Sequence, residues 1–421
     1  HMIDLFHTWQ VDFLVVGNHE FDENSSILID NINHSNATWF GSNVLMRKDR
    51  SLLKGLEDYH IVEVGSFKVG VFGVCTPSTP FLTPRGACDD IEFENVIETC
   101  QRVVSLLKTT HKVDAIVALT HLSQRSDIAL AKAVPDISAI LGGHDHIPQS
   151  VIVGETLIHK CGQNAEYLGE IILALSRTKQ EKVRVELEWR MHSNHANLGK
   201  DPASAQTLSK YLADSDSLPK IPYTKVIGGF LNGKTSSLRT GETLWGDFVV
   251  DCFTKAWGGI SSGIIGLANA GHIRGNRCYI AGDTITNIDM KKEFPWRSPT
   301  VKCRLQGKHL WNVIEQQLRF QPQEHGGLGI YAGLQIEFDP HAPSLSKVHR
   351  VLVYDPETTQ YKSMDPEKYY ILVTTIFTFQ CGDGLESFKY AEKIEERDTN
   401  IGDSVEERLQ TMPILDVSKI F

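Results

Sequence analysis

Apolar and polar residues follow two different rhythms along this chain, and the changes of rhythm mark its organisation. Residues 11–16 form a short apolar run that ends in a polar loop, as a buried strand does. Residues 59–64 and 68–74, joined across Gly65-Ser66, predict a hairpin. Over 95–111 the apolar residues Val96, Cys100, Val103, Val104 and Leu107 recur on one side at helical spacing. Strand-like 114–119, helical 128–134 and strand-like 137–141 follow. After Glu166 the pattern turns to strands, 168–174 and 183–190. The expectation is a layered α/β domain over 1–198.

From Gly199 to Pro222 the composition shifts to Asp, Ser, Lys and Pro. A short helical pattern over 204–212 lies between Pro202 before it and Pro219 and Pro222 after it, positions that suit helix start and stop. This predicts a linker, 199–222, carrying one helix. A second α/β domain is expected over 223–421, with a helix at 245–257 and strands at 264–268, 301–305, 334–338, 350–354 and 370–375. No internal repeat or low-complexity tract interrupts either half.

At 421 residues the chain exceeds one ordinary core, so two domains are natural. No run approaches the roughly 18 to 20 apolar residues of a membrane helix. The net charge of −10 opposes a nucleic-acid backbone and argues against DNA or RNA as partner. A small anionic substrate remains compatible if metal ions or arginines compensate it locally. The eight cysteines include no Cys-x-x-Cys pair, so a thiolate zinc site is not expected. Cys75 and Cys252 lie in apolar runs and read as buried thiols, while the even count leaves disulfides open. Three Asn-x-Ser/Thr triplets matter only in a secreted chain. The compartment is therefore open between secreted or periplasmic and cytoplasmic, and so is the oligomeric state.

Three loops of the first domain carry histidines directly after apolar strands: Asn18-His19, His121, and Gly142-Gly143-His144-Asp145-His146. Strand C-terminal ends are where α/β sheets place ligands. Imidazoles with carboxamide and carboxylate oxygens suit zinc, manganese, iron or nickel better than magnesium or calcium. In the last loop one residue separates the two imidazoles, so they can point toward two adjacent ions, and its glycines let the backbone fold tightly. Any one histidine among 17 is more simply a surface or core residue. Three strand-end loops in this order are not.

The block Gly17-Asn18-His19-Glu20-Phe21-Asp22, with the other two loops, resembles the metallophosphoesterases. The resemblance implies a β-sandwich flanked by helices and a two-metal phosphate site, with zinc or manganese as the divalent ions. It makes Asn18, His121 and His144 ligands of one ion and His146 a ligand of the other. His19 would stabilise or protonate the leaving phosphate oxygen, and Asp22 would orient its ring. Two further ligand blocks, Asp-x-His and Gly-Asp-x-x-Asp/Asn, normally precede this one. Only 16 residues precede Gly17 here, and Asp4-Leu5-Phe6-His7 has the wrong spacing. The first domain thus reads as incomplete at its N-terminus, and the chain as written is expected to be inactive.

The second half resembles the C-terminal domain of the 5′-nucleotidases. Arg239-x-x-Glu242 with Gly246-Asp247, Asn269-Ala270-Gly271-His272-Ile273-Arg274, Gly282-Asp283-Thr284-Ile285-Thr286 and Cys381-Gly382-Asp383-Gly384 match its blocks. Cys381 stands where the family usually has Gly. The resemblance implies that Trp296 (usually Phe) and Phe377 sandwich a base, and that Asp383 accepts hydrogen bonds from ribose hydroxyls. Arg239, Asn269 and Arg274 would face the base edge, sugar or phosphate. The activity implied is hydrolysis of nucleoside 5′-phosphates, with the linker as hinge region. A 2′,3′-cyclic phosphodiesterase or nucleotide pyrophosphatase of the same architecture is a variant reading. A non-catalytic nucleotide-binding protein is the alternative from another class.

Overall fold

The computed structural model describes residues 2–83, 86–178, 180, 182–195, 198–216, 219–296 and 298–420. It is a mixed α/β chain that divides into two units, His1–Ser217 and Leu218–Phe421. Of the linker span 199–222, residues 217 and 218 lie outside the described residues.

The first unit is built on a six-stranded sheet. Its order is Pro148–Val153, Thr156–Cys161, Ala139–Gly142, Ala115–His121, Phe67–Cys75 and His60–Val64. The four inner strands run parallel, and the two outer ones join them as antiparallel hairpin partners. Both faces of the inner strands are covered, which is why they read as continuous apolar runs. One face packs the helices Val96–Thr109 and Gln124–Ala133 around Phe72, Val103, Leu107, Leu130 and Ile140. Those helices begin cleanly: the Asn95 side chain accepts from Ile97 N and Glu98 N, and the Ser123 hydroxyl accepts from Ser126 N.

A parallel three-stranded sheet, Phe13–Val15, Thr38–Phe40 and Leu56–Glu57, lies on the other side. Phe13, Phe40, Val69, Val71, Leu173, Leu175 and Val185 form the core there. Leu173, Leu175 and Val185 come from a long hairpin, Tyr167–Arg177 with Val183–Ser193, whose alternate residues face that core. Burial on both sides of the large sheet produces the sandwich flanked by helices.

Residues Met2–Trp9 form a helix that packs on the helix Pro202–Asp216, which belongs to this first unit. Thr8 and Thr207 hydroxyls lie 2.9 Å apart, and Trp9 Nε1 donates to Ser204 Oγ at 2.8 Å. Asp4 accepts from Tyr211, and His7 Nε2 accepts from Asn36 N at 3.2 Å. Asp4 and His7 therefore serve helix docking.

The second unit centres on a five-stranded sheet ordered Gly329–Ala332, Ile264–Asn269, Tyr369–Thr375, Thr300–Gln306 and Glu392–Arg397. Ile264–Asn269 is buried throughout and ends at Asn269. The helices Leu244–Ala256, Gly307–Leu318 and Ile401–Gln410 contribute Phe248, Val249, Leu310, Ile314 and Val405 to a single large core. All eight cysteines are free thiols, and Cys75 and Cys252 are buried as their apolar surroundings suggested.

Candidate functional site

In the first unit three strand ends deliver their loops to one place. Phe13–Val15 leads into a single 3-10 turn, Asn18–Phe21, which buries Asn18. His121 ends the strand Ala115–His121, and its neighbour Ala139–Gly142 leads directly to His144. His121 Nε2 lies 2.9 Å from Asn18 Oδ1, and the His144 ring stands edge-on at 4.9 Å from the His121 ring. Burial, followed by the positive neighbours His144, His19, Lys160 and His146, brings the His121 pKa down to about 3. Burial also lowers that of His144. Both imidazoles are neutral at pH 7, the form that binds metals.

The Gly-Gly-His-Asp-His loop turns differently from its sequence reading. Neither glycine takes the left-handed conformation; His144 (φ 79°) and His146 (φ 61°) do. Side chains in that region are strained by about 1–3 kcal/mol and persist where the surroundings over-determine them. The glycines provide room. A Cβ on Gly142 would stand 2.8 Å from Lys160 Cε, and one on Gly143 would press on the His121 ring at 3.3 Å. Gly17 is tighter still: its Cβ would meet three His121 ring atoms between 2.6 and 2.9 Å.

On the same turn as Asn18, His19 Nδ1 lies 2.8 Å from Asp22 Oδ2. The Gly17 N–H donates to Glu20 Oε2 at 2.6 Å, which ties the turn to itself.

Beneath the histidine loops sits a group that sequence reasoning missed. Lys160, nearly inaccessible, places its ammonium 2.8 Å from Asp127 Oδ2 and 2.5 Å from Asp145 Oδ2. It also donates to Leu122 O at 2.6 Å and Gly143 O at 3.0 Å. Asp127 is held further by the Thr120 hydroxyl at 2.8 Å, and Asp145 by Gln124 N at 2.7 Å. One cation thus fastens the loop after His121 to the loop bearing His144 and His146. Desolvation pushes the Asp127 carboxyl upward against the pull of Lys160. A lysine inside an apolar strand run gives no sequence signal of this role.

Among the described residues, no group of three or more His, Cys, Asp or Glu side chains is disposed to hold a metal ion. The donors that do converge, a carboxamide oxygen and two neutral imidazoles, are of the class that suits zinc or manganese.

In the second unit the matched blocks converge on Asp383. Asn269 Nδ2 donates to Asp383 Oδ2 at 2.5 Å. Burial pushes the Asp383 carboxyl up, while the Asn269 bond and the charges of Arg319, Arg239 and Arg274 oppose that shift. Arg239 caps the short helix Thr235–Leu238, is buried, and pairs with Glu324 at 3.9 Å. Arg274 lies over the Trp296 ring, its Cζ 4.5 Å from the centroid. Phe377 has the His272 ring edge-on to it at 6.0 Å. Burial, then Arg274, lowers the His272 pKa to about 4.

Backbone strain concentrates here as well. Cys381 (φ 67°) and Asp383 (φ 55°) both take the left-handed region. Between them Gly382 admits no side chain, since a Cβ would fall 2.5 Å from the Phe377 ring. Arg319, unmarked in the sequence, holds this turn by donating to Asp383 O at 2.6 Å and Gly384 O at 3.3 Å.

Comparison with known proteins agrees with this geometry. Residues 222–390 match the family model described as 5′-nucleotidase, C-terminal domain. The chain is 26% identical over 429 residues to the trifunctional nucleotide phosphoesterase protein YfkN of Bacillus subtilis, covering 91% of this chain and 28% of that protein. It is 25% identical to an apyrase of Aedes albopictus, covering 91% of this chain and 73% of that one. The fold resembles the crystal structure of a 5′-nucleotidase precursor from Thermus thermophilus, with a TM-score of 0.83, 23% identity, and coverage of 98% of this chain and 83% of that one. The matched model spans the Asn269–Asp383 cluster and identifies residues 222–390 as a 5′-nucleotidase C-terminal domain, and the chain as a whole shares the fold of the 5′-nucleotidase structure.

Proposed function

We propose that this protein acts on nucleoside 5′-phosphates, hydrolysing them to nucleoside and phosphate with two divalent ions, zinc or manganese. The observation that carries the reading is the direct bond from Asn269 to Asp383, with three arginines acting on that carboxylate. A carboxylate beside arginines and aromatic rings is what a ribose, a phosphate and a flat base together require. Asp383 would accept from the sugar hydroxyls, Arg239 and Arg274 would face phosphate or base edge, and Trp296 and Phe377 would stack on the base.

In the first unit Asn18, His121 and His144 would hold one ion, and His146 would contribute to the second. Bound ions supply Lewis-acid stabilisation of the charge that grows on the phosphoryl oxygens. His19, fixed through Nδ1 by Asp22, would present its other nitrogen to the leaving oxygen and move a proton there. The test is AMP hydrolysis with added zinc or manganese, which His19→Ala should abolish. Turnover that His19→Ala leaves unchanged would overturn the reading.

A second reading, nucleotide binding without turnover, is favoured by one contrast. The Asp383 cluster is closed by its own hydrogen bonds, whereas the described residues of the histidine site include no group of three ionisable ligands. Both readings require nucleoside binding. Adenosine or AMP should therefore raise the melting temperature, since a ligand that binds only the folded state stabilises it. An unchanged melting temperature at millimolar adenosine, with Trp296→Ala behaving as the parent, would remove the base-binding assignment.

A further inference from the structure

Behind Asp383 a relay of polar groups extends beyond the sequence blocks that mark the site. The Tyr331 hydroxyl donates to Gln317 Oε1, and Gln317 Nε2 donates to Asn269 Oδ1 at 3.2 Å. Asn269 Nδ2 then donates to Asp383 Oδ2 at 2.5 Å. Gln317 and Asn269 are almost completely buried, so neither amide can exchange these partners for water.

The relay has one direction. An ionised carboxylate only accepts, so Asn269 must turn its NH2 toward Asp383 and its oxygen toward Gln317. Gln317 must then turn its NH2 toward Asn269, which leaves its oxygen for a donor. Tyr331 is that donor.

The backbone is shaped to let the three meet. Gly329 pairs with Asn269 across adjacent strands. A Cβ at Gly329 would lie 2.4 Å from Gln317 Oε1 and 2.6 Å from the Tyr331 ring. Two residues beyond Gln317, Arg319 grips the main chain of Asp383 at 2.6 Å. Asp383 is therefore fixed from both sides, its carbonyl by Arg319 and its Oδ2 by the relay. Among the described residues Oδ1 takes no hydrogen bond.

We propose that Tyr331 and Gln317 are positioning residues of the nucleoside site: through Asn269 they commit Oδ2 of Asp383 to the protein and leave Oδ1 to a sugar vicinal diol. This rests on the nucleoside-binding reading above. Without the Tyr331 hydroxyl, Gln317 can reverse its amide, Asn269 loses its orientation, and Asp383 is free to rotate. The defect should then fall on recognition of the diol.

The test is calorimetric titration of adenosine and 2′-deoxyadenosine into the parent, Tyr331→Phe and Gln317→Met. Each variant should bind adenosine about five- to tenfold more weakly, the loss of roughly one buried hydrogen bond. The parent's preference for adenosine over 2′-deoxyadenosine should shrink in both, which a general loss of packing would not produce. Tyr331→Phe removes one oxygen, so it is the variant to read should Gln317→Met fail to fold. Parent-like affinity and parent-like preference in Tyr331→Phe overturn the relay alone. A parent that binds neither nucleoside overturns the relay and the nucleoside reading together.

Discussion

His121 Nε2 and Asn18 Oδ1 lie 2.9 Å apart although 103 residues separate them in the chain. Neither residue reaches the other by local folding. Asn18 is carried by the turn after Phe13–Val15 and His121 by the end of Ala115–His121, strands of two different sheets. The contact also leaves no room for a side chain at Gly17, whose Cβ would fall within 2.9 Å of three His121 ring atoms.

Gly17→Ala should break that contact. Its Cβ would meet the ring at 2.6 Å, well inside van der Waals distance, so the ring or the turn must move. Overpacking of this kind costs about 1–3 kcal/mol. Urea denaturation of parent and variant measures it, and a stability within error of the parent would mean that the turn yields freely.

Lys160→Met should be among the most damaging single changes in the first unit. It leaves Asp127, wholly buried, with only the Thr120 hydroxyl, and unpairing a buried charge costs about 3–5 kcal/mol. Adding Asp127→Asn removes the stranded charge, so the double variant should be more stable than Lys160→Met alone. Denaturation of the four proteins of that cycle gives the coupling, and simple additivity would contradict a paired role.

Asp247 should make the second unit respond to pH. Burial, then the nearby Glu242 charge, raises its carboxyl from 3.8 to about 7. Between those values the folded state holds a proton that the unfolded chain has released. Its contribution to stability is thus complete below about pH 4 and is lost as pH rises to about 7. Asp247→Asn removes the titration. The melting temperature of the variant relative to the parent should climb from pH 4.5 to 7.5. Parallel profiles would place the carboxyl near its ordinary value.

Cys381→Gly should stabilise the turn before Asp383. A side chain at φ 67° costs about 1–2 kcal/mol relative to glycine, and the greater freedom of glycine in the unfolded chain offsets part of it. A net gain of about 0.5–1 kcal/mol is expected by denaturation, together with unchanged secondary structure by circular dichroism. Destabilisation would show that the Cys381 thiol contributes packing that outweighs the strain.

The sequence by itself determined the alternation of elements, because strand and helix periodicities are local and need only the neighbouring few residues. It also marked the strand-end blocks, Asn18-His19, His121, His144-Asp145-His146, Asn269 to Arg274 and Asp383, because loops that carry chemistry interrupt those periodicities. What it did not contain was which side chains meet across the fold. Lys160 and Gln317 occupy positions whose patterns read as ordinary core, and only the placement of neighbouring strands and helices turns them inward onto Asp127 and Asn269. The same holds for glycine. Gly142 and Gly143 suggest a tight turn by composition, yet His144 and His146 make the turn while the glycines clear space for Lys160 and His121. Contacts over a hundred residues depend on sheet order and register, which are settled by burying every apolar face at once, and no local pattern encodes that outcome.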